Sequence, residues 1–142
     1  MRHMKMSEVS VVVLFVGFAL AVDKVPAAAQ GAGAGQMPAG VREMKAASGS
    51  TVLADAKGMT LYTFAKDTAG VSNCNDNCAK NWPPLMAAAD AKPAGNWTVV
   101  TRADGTRQWA YKGMALYTWI KDTKAGDTSG DGVGGVWKVA VP

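Results

Sequence analysis

A stretch of 12 residues occurs twice in this chain, and it constrains the fold more than any other feature. Lys57-Gly-Met-Thr-Leu-Tyr-Thr-Phe-Ala-Lys-Asp-Thr68 reappears 55 positions later as Lys112-Gly-Met-Ala-Leu-Tyr-Thr-Trp-Ile-Lys-Asp-Thr123, with nine of 12 positions identical. The exchanges are Thr60/Ala115, Phe64/Trp119 and Ala65/Ile120, and the second keeps an aromatic ring. Self-similarity at a fixed offset marks a duplicated structural unit. Whatever one copy folds into, the other must fold into as well.

Each copy reads as a β-hairpin. A first strand (Thr51–Ala54 or Gln108–Tyr111) leads into a turn on Gly58 or Gly113, where glycine admits the positive φ that tight turns need. The second strand, Leu61–Phe64 or Leu116–Trp119, is rich in the aromatic and β-branched residues that favour strands. The period of two sends Met59 and Leu61 to one face and Tyr62 and Phe64 to the other. Both faces are apolar, so these strands should be central and covered on both sides. Trp97–Thr101 and Thr106–Tyr111 make a further hairpin across Arg102-Ala-Asp-Gly105, and Val136–Val141 supplies a last strand. Helix is confined to a turn or two around Asn77–Asn81, stopped by Pro83-Pro84. The expected class is all-β: a compact antiparallel sheet or partly closed barrel built from two repeated hairpin units, with little helix.

Ahead of the duplication, Arg2, His3 and Lys5 form a basic head that includes Glu8, and Val11–Val22 then runs without a charge. A helix crossing a bilayer of roughly 30 Å takes about 20 residues, so this run is too short to span one. It suits a secretory h-region, with Ala27-Ala28-Ala29 as the small-residue cleavage site. The expected organisation is a signal peptide at 1–29, a flexible Gly/Ala leader at 30–40 and a single β domain at 41–142, with repeats near 51–85 and 107–142. Export would place the domain in the periplasm or outside the cell, with no stable membrane span after cleavage. No cysteine lies near the cleavage site to take a lipid. Of the 15 basic and 11 acidic residues, 12 and 9 remain after cleavage, a net charge of +3 spread singly along the chain. Nucleic-acid binding needs a concentrated basic stripe, and there is none. The only histidine, His3, leaves with the signal peptide.

The first copy followed by Asn73-Cys-Asn-Asp-Asn-Cys-Ala-Lys-Asn-Trp-Pro-Pro-Leu85, and the second followed by Gly126-Asp-Thr-Ser-Gly-Asp-Gly-Val-Gly-Gly-Val-Trp137, resemble the bacterial "secreted repeat of unknown function" family. Its members are secreted proteins and lipoproteins with a Tyr-x4-Asp signature, present here as Tyr62…Asp67 and Tyr117…Asp122. The resemblance spans roughly residues 41–142. The lipid-accepting cysteine of many members is missing here, and the resemblance implies little about activity.

Four constellations are candidates for chemistry. Cys74 and Cys78, with three residues between them in an exported chain, fit a disulfide, because a tight turn can bring their Cα atoms within roughly 4.4–6.8 Å. Closing so short a loop is worth about 2 kcal/mol. A Cu(I) site of two thiolates and a redox-active dithiol remain alternatives, although the mature chain has no histidine and the motif no methionine. No Cys-x-x-Cys-His is present for haem. Tyr62, Asp67, Tyr117 and Asp122 form the repeat motif. An aspartate just past a strand end caps a turn, or binds a ligand or ion, or pairs with its counterpart across a pseudo-two-fold axis as glycosidase carboxylates do. Asp127 to Asp131 resembles the start of a calcium loop, yet Lys138 stands where its bidentate glutamate belongs, which leaves a Gly-rich connection as the plainer reading. Finally, Trp82, Trp97, Trp109, Trp119 and Trp137 should be mostly core, with Trp82 lidding one end of the sheet. One or two exposed rings would offer a flat sugar- or peptide-binding surface, with Trp82, Asp127 and Asp131 as possible binding residues.

These features point to an exported, non-enzymatic binding or structural module without cofactor or metal, its partner an unidentified protein or cell-envelope ligand. The alternative is a small periplasmic redox or copper-handling protein that uses Cys74 and Cys78. A hydrolase ranks third, since only Asp, Lys and Tyr remain as acid–base groups.

Overall fold

The computed structural model describes residues 37–142. The expected signal peptide and most of the expected leader lie outside the described residues. Strands β1 (Val41–Lys45) and β2 (Thr51–Asp55) form one antiparallel ladder. Strand β3 (Tyr62–Phe64) pairs with the last strand, β7 (Trp137–Val139), and β4 (Trp97–Thr101), β5 (Arg107–Tyr111) and β6 (Met114–Ala115) form a three-stranded sheet. The one α-helix among the described residues, α1 (Asn77–Asn81), sits where the sequence places one, its last turn closed by Trp82 N–H donating to the Cys78 carbonyl. The fold is all-β in three small antiparallel sheets, and among the described residues no barrel closes.

The two copies share one plan with a single-residue slip. The β1–β2 register runs from Val41↔Asp55 to Lys45↔Thr51, and β4–β5 from Trp97↔Tyr111 to Thr101↔Arg107. These ladders correspond at an offset of 56, whereas the strands after the turn correspond at 55. The turn absorbs the difference. In the second copy Lys112 (φ 51°) and Gly113 (φ 83°) make a two-residue turn with both φ positive, the hairpin connection that best matches strand twist. The first copy carries one residue more, Ala56, with Gly58 N–H donating to the Asp55 carbonyl and Asp55 N–H to the Met59 carbonyl. A Cβ on Gly58 would come within 2.7 Å of Arg42 Nη2 and 2.9 Å of the Ala125 Cβ. Glycine is required there on two counts.

Beyond the turns the copies exchange strands. The Ala140 N–H donates to Leu61 O at 2.8 Å and Ala65 N–H to Val136 O at 2.7 Å. Their counterparts are Leu85 N–H to Leu116 O at 2.9 Å and Ile120 N–H to Asn81 O at 3.1 Å. Each copy therefore lends its final segment to the other's central strand. Between the two central strands, Tyr62 and Tyr117 exchange both backbone bonds, at 2.7 and 2.9 Å. That reciprocal pair marks a pseudo-two-fold axis.

The period-two pattern of the central strands divides the core. Leu61 and Leu116 point into one cluster with Leu53, Trp97, Trp109, Tyr111 and Ala140, against which Met37 and Leu85 pack. Tyr62, Phe64 and Tyr117 point into the other, with Cys74, Trp82, Ala115 and Trp137. Coverage on both faces is as the sequence leads one to expect.

Candidate functional site

The Tyr-x4-Asp motifs meet on the axis, and they meet crosswise. Tyr62 Oη donates to Asp122 Oδ2 at 2.7 Å, and Tyr117 Oη donates to Asp67 Oδ2 at 2.7 Å. Each tyrosine thus bonds the aspartate of the other copy. The second oxygen of each carboxylate holds the chain that follows it. Asp67 Oδ1 accepts from Asn73 N–H at 2.7 Å, and Asp122 Oδ1 accepts from Ser129 N–H at 3.0 Å and Ser129 Oγ at 2.5 Å. Both aspartates are only 6 % exposed and both tyrosines fully buried. Turn-holding and phenol-bonding are therefore performed by the same two carboxylates.

Burial pushes the Asp67 carboxyl above its ordinary range, against the downward pull of the Tyr117 and Asn73 bonds and of the Arg102 charge. The same desolvation, with the bond to a carboxylate next, raises both phenols, Tyr62 and Tyr117. They stay protonated as donors.

Aromatic rings surround this pair with the same symmetry. Tyr62 stands edge-on to Trp82 (5.3 Å between ring centres) and Tyr117 edge-on to Trp137 (5.2 Å). Trp82 and Trp137 lie 55 positions apart in sequence and stack on one another at 3.7 Å and 4°. Phe64 stacks on the outside of Trp137 at 4.4 Å, and its counterpart Trp119 on the outside of Trp82 at 3.9 Å. The result is a continuous stack, Phe64–Trp137–Trp82–Trp119, threaded alternately by the two copies. Trp82 is 4 % exposed, so both its faces are spent on neighbouring rings; Trp119 is half-buried.

Outside the axis the halves differ. On the Asp67 side, Tyr117 Oη also meets Ser72 Oγ at 2.5 Å, and the buried Arg102 donates to Ser72 Oγ (3.0 Å), Gln108 Oε1 (2.7 Å) and the Cys74 carbonyl (2.6 Å). Gln108 in turn donates to the Leu116 carbonyl at 2.6 Å. The Cys74–Cys78 disulfide, with Cα atoms 5.1 Å apart, closes the loop that carries this carbonyl, and Cys74 is wholly buried against the rings. On the Asp122 side, Gly130 N–H adds a bond to Tyr62 Oη at 3.2 Å. Gly130 fits because a Cβ there would lie 2.7 Å from the Trp82 ring.

Arg102, Ser72 and Gln108 were not among the residues singled out from sequence. Gln108 carried a signal: a polar side chain inside the strand Arg-Gln-Trp-Ala-Tyr. Arg102 carried none, because a charge beside Asp-Gly reads as an exposed turn. Asp127 and Asp131 each accept hydrogen bonds from the chain near them. Asp127 Oδ2 accepts from Thr123 N–H (3.0 Å), Lys124 N–H (3.1 Å) and Thr123 Oγ1 (3.2 Å), which hold its carboxyl below the usual range. Asp131 Oδ1 accepts from Val139 N–H at 3.3 Å. Among the described residues no three His, Cys, Asp or Glu side chains gather as a metal site would require. A cleft of about 540 Å³ opens elsewhere, lined by Met37, Met86, Ala91, Trp97 and Trp109 and by the charged residues Asp90 and Lys92.

A duplicated, strand-exchanged β domain with a shared aromatic and Tyr–Asp centre defines a class in which neither repeat is complete alone. The chain belongs to the family described as a secreted repeat of unknown function, which matches residues 44–86 and 98–141. These two matches begin within β1 and β4, so the repeat unit includes the leading hairpin strand as well as the segment read from sequence. No curated protein and no solved structure matches the chain. No helix among the described residues is long and apolar enough to cross a membrane.

Proposed function

We propose that the chain carries a cleavable signal peptide over residues 1–29, is exported to the periplasm or beyond, and works there as a non-enzymatic binding or structural module. The observation that carries this reading is the closure of both Tyr–Asp pairs. Every carboxylate oxygen of Asp67 and Asp122 accepts a bond from within the domain, whereas a general acid or base must reach a substrate proton. The motif that defines the repeat is best understood as the clasp between copies. Binding falls to the surface, and the cleft beside Met86 and Trp109 has the volume and apolar lining of small-ligand sites. Trp82, Asp127 and Asp131 take structural roles in this reading, as stack, turn and strand anchor.

The redox or copper reading draws on the spacing of Cys74 and Cys78. The S–S bond between them and the burial of Cys74 favour a structural pair instead. One preparation tests both. Protein from the native exported fraction should start near Gln30 by intact mass, and Cu(I) added to the reduced domain should not raise its melting temperature above that of the oxidised form. A full-length chain, or copper at one per molecule as isolated, would overturn the proposal.

A further inference from the structure

The ring stack joins the side chains that give up single electrons most readily, indoles and carboxylate-bonded phenols, in one line from the surface inward. Half-buried Trp119 lies 3.9 Å from Trp82, which lies 3.7 Å from Trp137. Tyr62 stands edge-on to the first of these inner indoles and Tyr117 to the second. We propose that this array conducts a one-electron oxidation from Trp119 to Tyr62 and Tyr117, the oxidant being a high-valent metal complex that contacts Trp119.

The oxidant takes one electron from the Trp119 ring and is reduced by one unit, leaving an indole radical cation. An electron then moves outward from Trp82, or through Trp82 from Trp137, and the vacancy travels inward. It ends when Tyr62 or Tyr117 releases an electron to its neighbouring indole while its phenolic proton crosses the 2.7 Å bond to Oδ2 of Asp122 or Asp67. The products are a reduced oxidant, a neutral phenoxyl radical and a protonated carboxyl. One electron supplied later returns the proton to the phenol.

Two features give the path its direction. Lys121 Nζ sits 5.6 Å from the centre of the Trp119 ring, and a positive charge there disfavours a second positive charge on that indole. At the inner end each phenol has a base already in hydrogen-bond contact, so losing its proton needs no rearrangement. Tyr111 provides the contrast within the same molecule. It packs at 4.7 Å against Trp97 in the other core, with Lys112 Nζ 5.0 Å from its ring centre, and has no hydrogen-bonded carboxylate among the described residues. The conduction path is independent of what the domain binds.

Flash photolysis of a ruthenium tris-bipyridine complex with a sacrificial acceptor, in the presence of the mature domain, tests the idea by transient absorption and electron paramagnetic resonance. An indole radical should appear first and convert to a tyrosyl radical. Tyr111→Phe should leave the tyrosyl signal in place, and the Tyr62→Phe/Tyr117→Phe double variant should lose it. Trp119→Leu, at the half-buried end where folding is least at risk, should slow its appearance. Asp67→Asn with Asp122→Asn should slow it further and make it dependent on buffer base. A tyrosyl signal that never forms, that vanishes with Tyr111→Phe, or that rises at an unchanged rate in Trp119→Leu would overturn the proposal.

Discussion

The two Tyr–Asp clasps are the same at their centre and unlike at their edges. In both, a phenol bonds a carboxylate at 2.7 Å and a tryptophan meets that phenol edge-on. Around Tyr117–Asp67, however, stand a buried arginine, a glutamine, a serine and a disulfide. Around Tyr62–Asp122 there is a glycine-rich loop whose backbone approaches directly. The difference shows which parts of a duplicated fold are bound by symmetry. Residues on the axis contact their own counterparts, so a change in one copy is felt at once by the other. Residues off the axis bond partners other than their own counterparts, as Arg102 of the second repeat does with Ser72 and Cys74 of the first, so one side can change without the other. The 14 residues between Asp67 and Trp82 and the 14 between Asp122 and Trp137 keep equal length while sharing almost no chemistry.

Substitutions on the axis should be costly and equal. Trp82→Ala and Trp137→Ala each remove a ring from the middle of the stack, and each should lower the unfolding free energy by about 4 kcal/mol in urea titrations. A difference of more than about 1 kcal/mol between them would break the symmetry argument, since errors of extrapolation are smaller than that at these values. Off the axis the halves should part. Arg102→Leu leaves Gln108 Oε1, the Cys74 carbonyl and Ser72 with lost donors in a buried site, and should cost about 3 kcal/mol. The Asp122 half offers no equivalent residue to remove. Cys74→Ser with Cys78→Ser should cost about 2 kcal/mol through loop closure, measured by the same titrations, with the Tyr62–Asp122 clasp unaffected.

Much of the local structure is legible from residues alone. The β4–β5 hairpin, the turns at Gly58 and Gly113, the short helix before Pro83 and the division of Leu61 from Tyr62 across two faces follow from turn glycines, proline and period two. The β1–β2 ladder is not read from the sequence, and the strand expected over Leu116–Trp119 is instead the two-residue β6, Met114–Ala115. What is not legible is which copy supplies each neighbour. Because the central strands and the aspartates after them are nearly the same in both copies, a central strand satisfies its local preferences beside either final segment, and Tyr62 beside Asp67 or Asp122. Tertiary packing decides between them, and the motif Tyr-x4-Asp does not say that each tyrosine bonds the aspartate of the other copy. The slip at Ala56 is hidden for a related reason: both turns read Lys-Gly, and an extra residue before the lysine alters the register without altering the pattern. Arg102 is hidden because its burial depends on the 72–75 loop folding over it.

A smaller effect depends on pH and concerns Asp67. The Asp67 pKa is raised above the ordinary 3.8, first by burial. The folded state therefore holds that proton more tightly than the unfolded chain, and the stability this brings is present below 3.8 and lost as pH rises through the higher folded value. Asp67→Asn should flatten wild-type stability across that window when unfolding is followed at a series of pH values. A variant whose pH dependence stays parallel to wild type would contradict the account of Asp67.

The central claim is that the repeats are clasped crosswise, and a pair of double-mutant cycles addresses it most directly. Tyr62→Phe is combined once with Asp122→Asn and once with Asp67→Asn, and unfolding free energies are measured for every single and double variant. Crossed clasps predict a coupling of about 1 kcal/mol for Tyr62 with Asp122 and near zero for Tyr62 with Asp67. Coupling confined to Tyr62 and Asp67, within one repeat, would contradict it.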